Sequence, residues 1–151
     1  MADERESYLR EQVAMTTGPS LVEAIEQQSS KQPDGVALID DREQVTWAEF
    51  ARRVSASAAG LEKLGLEPGE RIGIQGLNSI ELAVTMLGCW KRGLITVLLT
   101  PASKGFEVQQ ELAATGAVAY VGDPDLYPVG QTAIRNCPAL RLALVLHRGT
   151  M

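Results

Sequence analysis

Residues able to do chemistry are few in this 151-residue chain, and they are scattered. Gly73-Ile74-Gln75-Gly76 puts two glycines at the end of an apolar run, where a backbone can approach a phosphate closely. The spacing is not the Gly-x-Gly-x-x-Gly of a dinucleotide fold, and close packing of a strand on a helix explains it better. No Gly-x-x-x-x-Gly-Lys-Ser/Thr loop occurs. Thr16-Thr17-Gly18-Pro19 has the residue types of a phosphate loop but no strand before it and no lysine; a turn leading to a helix cap accounts for it. Ser103 as a nucleophile needs a base, and only Lys104 is placed beside it. Neighbours on one loop do not make a triad. Asp123 and Asp125 flank Pro124, a pattern of turn and helix cap rather than of an acid–base pair. His147, the only histidine, is too few for a zinc site and reads as a surface residue. Cys89 and Cys137 form neither a disulfide framework nor a ligand pair, and read as reduced thiols of a cytoplasmic protein. From the residues alone, no catalytic residue and no metal ligand is assigned.

Composition narrows the partners. The formal net charge is −5, and Lys and Arg form no basic stripe, which argues against nucleic acid or an anionic membrane as partner. The 45% hydrophobic and 22% charged content is that of an ordinary soluble globular protein. No apolar run reaches membrane-spanning length, and the acidic start is not a signal peptide. The expectation is a polar arm over residues 1–19 and one α/β domain over 20–151.

The elements that must position any site follow from periodicity. Ser20 caps a helix with apolar positions at 21, 22 and 25 that stops before Pro33. Val36 to Ile39, a polar turn from Asp40 to Gln44, and Val45 make a small hairpin. Thr46-Trp47-Ala48-Glu49 reads as a capping box for a helix whose core face is Trp47, Phe50, Ala51, Val54, Ala58, Leu61 and Leu64, ended by Gly65. Arg71 to Gln75, a helix capped by Asn78 with Glu81 returning the bond, and Leu94 to Leu99 form a βαβ unit, its second strand too apolar to have a wet face. A helix from about 106 to 115, a strand over 117–121, a helix around 131–136 and a strand over 140–146 complete the chain. The fold class is α/β, a mostly parallel sheet with flanking helices. Its default ligand surface is the loops at the carboxyl ends of the strands: 76–78, 100–105 and 122–125. Asn78, Thr100 and Lys104 are the candidate binding residues from their place there, although capping, a turn and a solvated lysine also explain them.

The helix at 80–90 is apolar on nearly all sides: Ile80, Leu82, Ala83, Val84, Met86, Leu87, Cys89 and Trp90 do not form one stripe. A sheet covers one side only, and the chain looks too short to cover the other. The expectation is a second chain, self-association or a larger protein over that face.

Four stretches, taken together, resemble the N-terminal subdomain of the acyl-adenylate-forming superfamily, which includes acyl-CoA synthetases, peptide-synthetase adenylation domains and luciferases. They are Pro33 to Leu38, Val45 to Phe50, Leu64 to Ile72, and Asn78-Ser79-Ile80-Glu81 through Lys91-Arg92-Gly93; Gly116-Ala117-Val118 is a further match. The resemblance covers residues 20 to 146. It implies an enzyme that uses ATP and magnesium to make an acyl-adenylate from a carboxylic acid, then passes the acyl group to a thiol such as coenzyme A. Two departures bear on that. Leu98-Leu99-Thr100-Pro101 stands where the family often has Pro-Leu-Asn/Asp-Pro, so the loop should differ in shape. The family's phosphate loop follows the strand at 140–146, and this chain reaches Met151 before one. The expectation is an inactive scaffold piece of an acid–thiol ligase. The alternatives are a stand-alone small α/β binding module descended from one, or half of a split ligase.

Overall fold

The computed structural model describes residues 18–146. The arm expected over 1–19 therefore lies almost wholly outside the described residues, as do Thr16, Thr17 and His147.

Helix α1 (Leu21–Lys31) starts with a reciprocal cap: Glu23 N–H donates to Ser20 Oγ at 3.2 Å, and Ser20 N–H donates to Glu23 Oε2 at 2.7 Å. Strands β1 (Val36–Ile39) and β2 (Gln44–Thr46) pair antiparallel as expected. Asp40 closes their turn, its Oδ1 accepting from the N–H groups of Arg42 at 2.9 Å and Glu43 at 3.0 Å. Helix α2 (Trp47–Lys63) is capped by Thr46, which accepts from Glu49 N–H at 3.3 Å. The return half of that box is not made, because the Glu49 carboxylate is committed to Arg52 and Arg53. Gly65 leaves α2 at φ +76°, a conformation other residues rarely take. Leu64, expected in the core, lies past the helix end and is 45% exposed; Leu66 is buried in its stead.

Strand β3 (Arg71–Gln75), helix α3 (Ile80–Lys91) and strand β4 (Ile95–Leu99) form the βαβ unit, with β3 and β4 parallel. Helix α4 (Gly105–Thr115), strand β5 (Ala119–Gly122), helix α5 (Tyr127–Ile134) and strand β6 (Leu142–Val145) follow. The sheet is four-stranded, parallel throughout, in the order β4-β3-β5-β6. Helix α5 starts four residues before its expected place, since the Asp123 carbonyl takes the N–H groups of Leu126 and Tyr127 and nucleates the turn there.

Alternation along the central strands separates two cores. Ile72, Ile74, Ala119 and Val121 face α3, with Leu66, Cys89, Leu94 and Leu146. Tyr120 faces the other way, toward α4 and α5, with Leu99, Val108, Leu112, Ala133 and Cys137.

Two expectations are corrected here. Strand β4 is not closed off on both faces: it is an edge strand, and Ile95 and Leu98, on opposite faces, are 47% and 58% exposed. An apolar run reads the same at the edge as in the middle of a parallel sheet. More consequentially, the chain covers α3 itself. Its sheet side carries Leu82, Met86 and Cys89, while Ile80, Ala83, Val84 and Leu87 pack under α1, α2 and the hairpin with Ile25, Val45, Phe50 and Val54. Gly88 is what lets α2 come so close; a Cβ there would lie 2.3 Å from Ser57 Oγ and 2.6 Å from Ser57 Cβ. Only Trp90, near the end of α3, stays substantially exposed among its large apolar residues.

Candidate functional site

The carboxyl edge of the sheet is where an α/β protein ordinarily binds its ligand, above all where successive connections leave toward opposite sides. Here that point is between β3 and β5: β3 connects to β4 on one side, while β5 connects to β6 on the other. Three helices start along this edge, and the chain caps them to different degrees.

At α3 the cap is Ser79 and not Asn78. Ser79 Oγ accepts from Leu82 N–H at 3.1 Å. Asp40, forty residues earlier, supplies a second cap, its Oδ2 accepting from Ile80 N–H at 3.1 Å. The backbone N–H groups of Glu43, Arg42 and Ile80 together hold the Asp40 carboxyl below its ordinary range. At α4, Lys104 N–H donates to Glu107 Oε2 at 2.7 Å. At α5, Asp123 provides both its carbonyl for the first turn and its Oδ1 for Asp125 N–H, at 3.1 Å. Side-chain oxygens thus accept from first-turn N–H groups at α3 alone, whereas Glu107 binds the residue before α4 and the Asp123 carboxylate a residue of the loop before α5.

A Cβ on Gly73 would lie 2.3 Å from Leu112 Cδ2 and 3.3 Å from Leu99 Cδ1, so α4 leucine packing, as expected, is what that glycine serves. A Cβ on Gly76 would be 3.0 Å from Leu146 Cδ1 and 3.1 Å from Leu82 Cδ1. Leucines fill the space a phosphate cradle would need. Among the described residues no three of His, Cys, Asp and Glu gather as metal ligands.

The candidate binding residues fall in two places. Asn78 lines a depression of ≈ 480 Å³ between the hairpin and the start of α3, with Leu38, Ile39, Asp40, Asp41, Ser79 and others. Lys104 lines another, of ≈ 530 Å³, between the 101–106 loop and Pro128 and Thr132 of α5. Thr100 belongs to the same loop as Lys104, its carbonyl turned inward. No residue lines both depressions.

Sequence reasoning missed the residue that organises this edge. Gln75, the last of β3, is fully buried. Its Nε2 donates to the carbonyls of Thr100 at 3.1 Å and Ser103 at 3.3 Å, and its Oε1 accepts from Tyr120 Oη at 2.8 Å. Burial pushes the Tyr120 phenol up to about 12, so it remains a donor across the ordinary pH range. The only signal was one polar residue closing an apolar strand. Cys89, its thiol likewise raised to about 12 by burial, is an inert core residue.

Comparisons with known proteins bring these features together. The family model described as "AMP-binding enzyme" matches residues 25–149. Triostin synthetase I of Streptomyces triostinicus is 32% identical over 103 residues, 68% of this chain and 20% of that protein. The vibriobactin-specific 2,3-dihydroxybenzoate-AMP ligase of Vibrio cholerae is 25% identical over 131 residues, 83% of this chain and 24% of the relative. The crystal structure of a long-chain-fatty-acid-CoA ligase from Archaeoglobus fulgidus superposes with a TM-score of 0.79 at 21% identity, over 84% of this chain and 27% of that one, a likeness of fold. The chain therefore spans about a fifth to a quarter of the length of the relatives it matches. With a parallel sheet of four strands, flanking helices in the matching order and a family match across nearly all the described residues, the chain belongs to the AMP-binding enzyme family and has the fold of an adenylate-forming ligase's N-terminal subdomain.

Proposed function

We propose that this chain is the N-terminal part of an ATP-dependent acid–thiol ligase working through an acyl-adenylate, and that its own contribution is scaffold. One observation carries the scaffold reading: at the switch point of the sheet the start of α3 is capped by Asp40 and Ser79 of the chain itself, and leucines fill the space beside Gly73 and Gly76. Adenylyl transfer needs charge neutralisation and positioning around the phosphates. In this reading ATP, magnesium, coenzyme A and the carboxylic acid are held by other parts of the ligase, in the cytoplasm. Residues 20–151 then act as one structural unit, and Asn78, Thr100 and Lys104 form at most a wall facing the acyl or thiol site. Exposed Leu77, Leu98 and Phe106, near this edge, support a larger protein around it.

A second reading is a stand-alone binding or protein-contact module descended from such a ligase. Its support is that α3, apolar all round, is covered from within the chain.

Two measurements test these readings. The purified chain should give ATP–pyrophosphate exchange no higher than a mock preparation with any carboxylic acid; exchange that survives further purification overturns the scaffold role. The intact mass in source cells separates the two readings. A species well above 16.3 kDa containing this sequence supports the ligase, and one at 16.3 kDa supports the module.

A further inference from the structure

We propose that Gln75 and Tyr120 form a positioning pair that sets the conformation of the 100–104 loop and, with it, the depression that Lys104 lines. The proposal goes beyond the ligase reading and holds whatever ligand the loop meets.

The geometry leaves the Gln75 amide one orientation. Two of its three neighbours, the carbonyls of Thr100 and Ser103, are acceptors, so the amide NH₂ must face them. The amide oxygen then receives the Tyr120 hydroxyl. Thr100 O also accepts from Ser103 N–H at 3.0 Å, so the loop closes on itself around the point that Gln75 grips.

Tyr120 is held just as closely. A Cβ on Gly130 would lie 2.3 Å from its ring carbons, and one on Gly122 would lie 2.7 Å from its Oη. The ring is therefore seated against α5 where only glycine fits, and it stacks at a tilt near Tyr127, with centroids 6.3 Å apart. The depression has two walls: the loop from Pro101 to Phe106, and Pro128 and Thr132 of α5. Gln75 fixes the first wall, and Tyr120 seats the second. A buried polar pair with every partner satisfied is the kind of network that selects one conformation over its neighbours.

The test uses two substitutions in the chain and amide exchange read residue by residue. Tyr120→Phe keeps the ring between the glycines and removes only the hydroxyl. Gln75→Glu makes the grip depend on pH. A protonated carboxyl can still donate to one loop carbonyl and accept from Tyr120, whereas a carboxylate faces two carbonyl oxygens with nothing to donate. Burial and those oxygens raise the pKa of the introduced carboxyl above the ordinary glutamate value of about 4.3, so the grip is present at low pH and lost as pH rises through the raised value. The titratable and charged groups on the elements around Gln75 are Tyr120, Tyr127, Asp123, Asp125, Lys104, Glu107, Glu111, Glu81 and Lys91. All are present in the parent chain too, so the difference between variant and parent isolates position 75.

The expected result is about a tenfold or greater loss of protection at Ser103 N–H in Tyr120→Phe, with the Asp123 N–H bonded to Gln75 O changing much less. In Gln75→Glu the same loss should appear above the raised midpoint and be reversed below it. Unchanged Ser103 protection in Tyr120→Phe overturns the proposal, as does a fall equal to that of the core amides. Should Gln75→Glu unfold at high pH, Tyr120→Phe alone decides.

Discussion

The two faces of the sheet are built on different terms. On one face α3 is the middle layer of three, pressed between the strands and a roof of α1, α2 and the hairpin, with Ile80 and Leu87 as buried as core strand residues. At the rim Lys91 of α3 pairs with Glu26 of the roof, and Arg53, paired with Glu43 and Glu49, joins α2 to the hairpin within it. On the other face α4 and α5 are a single layer; Phe106 is 67% exposed, and the core contains a polar pair, Tyr120 with Gln75. The doubly covered face is closed and apolar. The singly covered face reaches the carboxyl edge through hydrogen bonds to a loop. Stability is concentrated on the first, and whatever adaptability the ligand edge needs is drawn from the second.

If the roof over α3 is a true core, truncating a residue that points away from the sheet must be costly. Leu87→Ala should lower stability by about 2–5 kcal/mol in chemical unfolding, the range for a buried leucine. A loss under about 1 kcal/mol would mean the roof is loosely laid. Gly88→Ala probes the α2–α3 approach. Overpacking against Ser57 costs about 1–3 kcal/mol, partly offset by the roughly 1 kcal/mol that alanine gains over glycine in a helix. Ser57→Gly in the same protein should recover most of the loss if contact at that point is the cause. On the single-layer face Gly73→Ala meets the tips of two leucines, Leu112 and Leu99, and no backbone, so its cost should be smaller, about 1 kcal/mol.

The smallest effect belongs to the rim. Hydrogen bonds from Arg52 and then Arg53 hold the Glu49 carboxyl at about 2. A depressed acid stabilises the fold above its unfolded pKa, near 4.3, and that contribution is lost as pH falls through the folded value. With about a third of the Glu49 side chain exposed, solvent screening holds the effect to under about 1 kcal/mol. Glu49→Gln should flatten the stability profile between about pH 4.5 and about pH 2, and an unchanged profile would show that the arginines do not engage it in solution.

Local patterns in the sequence foretold the elements well and their neighbours poorly. The Ser20 cap, the hairpin and the order of strands and helices follow from residues within a few positions of each other. What was not legible came from distance. Asp40 reaches Ile80 across forty residues and adds a second cap to the start of α3, where Ser79 takes the place expected for Asn78. Gln75 finds Thr100, Ser103 and Tyr120 only once the sheet order is known. Strand β4 carries the composition of a central strand and sits at an edge, because periodicity says how many sides of a strand are apolar and not what lies beside it. The cover of α3 was underestimated for a related reason: the short hairpin and α1 each look too small to bury anything, and only together do they form a roof. Among the candidate residues, Thr100 and Lys104 share a loop as their spacing implied, while Asn78 opens onto a different depression.

The most direct test of a chain that shapes the carboxyl edge without holding phosphate is a titration of the isotopically labelled chain with magnesium and ATP, followed by amide resonances. No saturable shifts are expected at Gly76 to Ile80, where Asp40 and Ser79 already cap the start of α3, nor at Ser103 to Gly105 or Asp123 to Tyr127. Saturable shifts confined to those three segments at millimolar nucleotide or below would contradict that expectation, and would place a phosphate subsite within this chain.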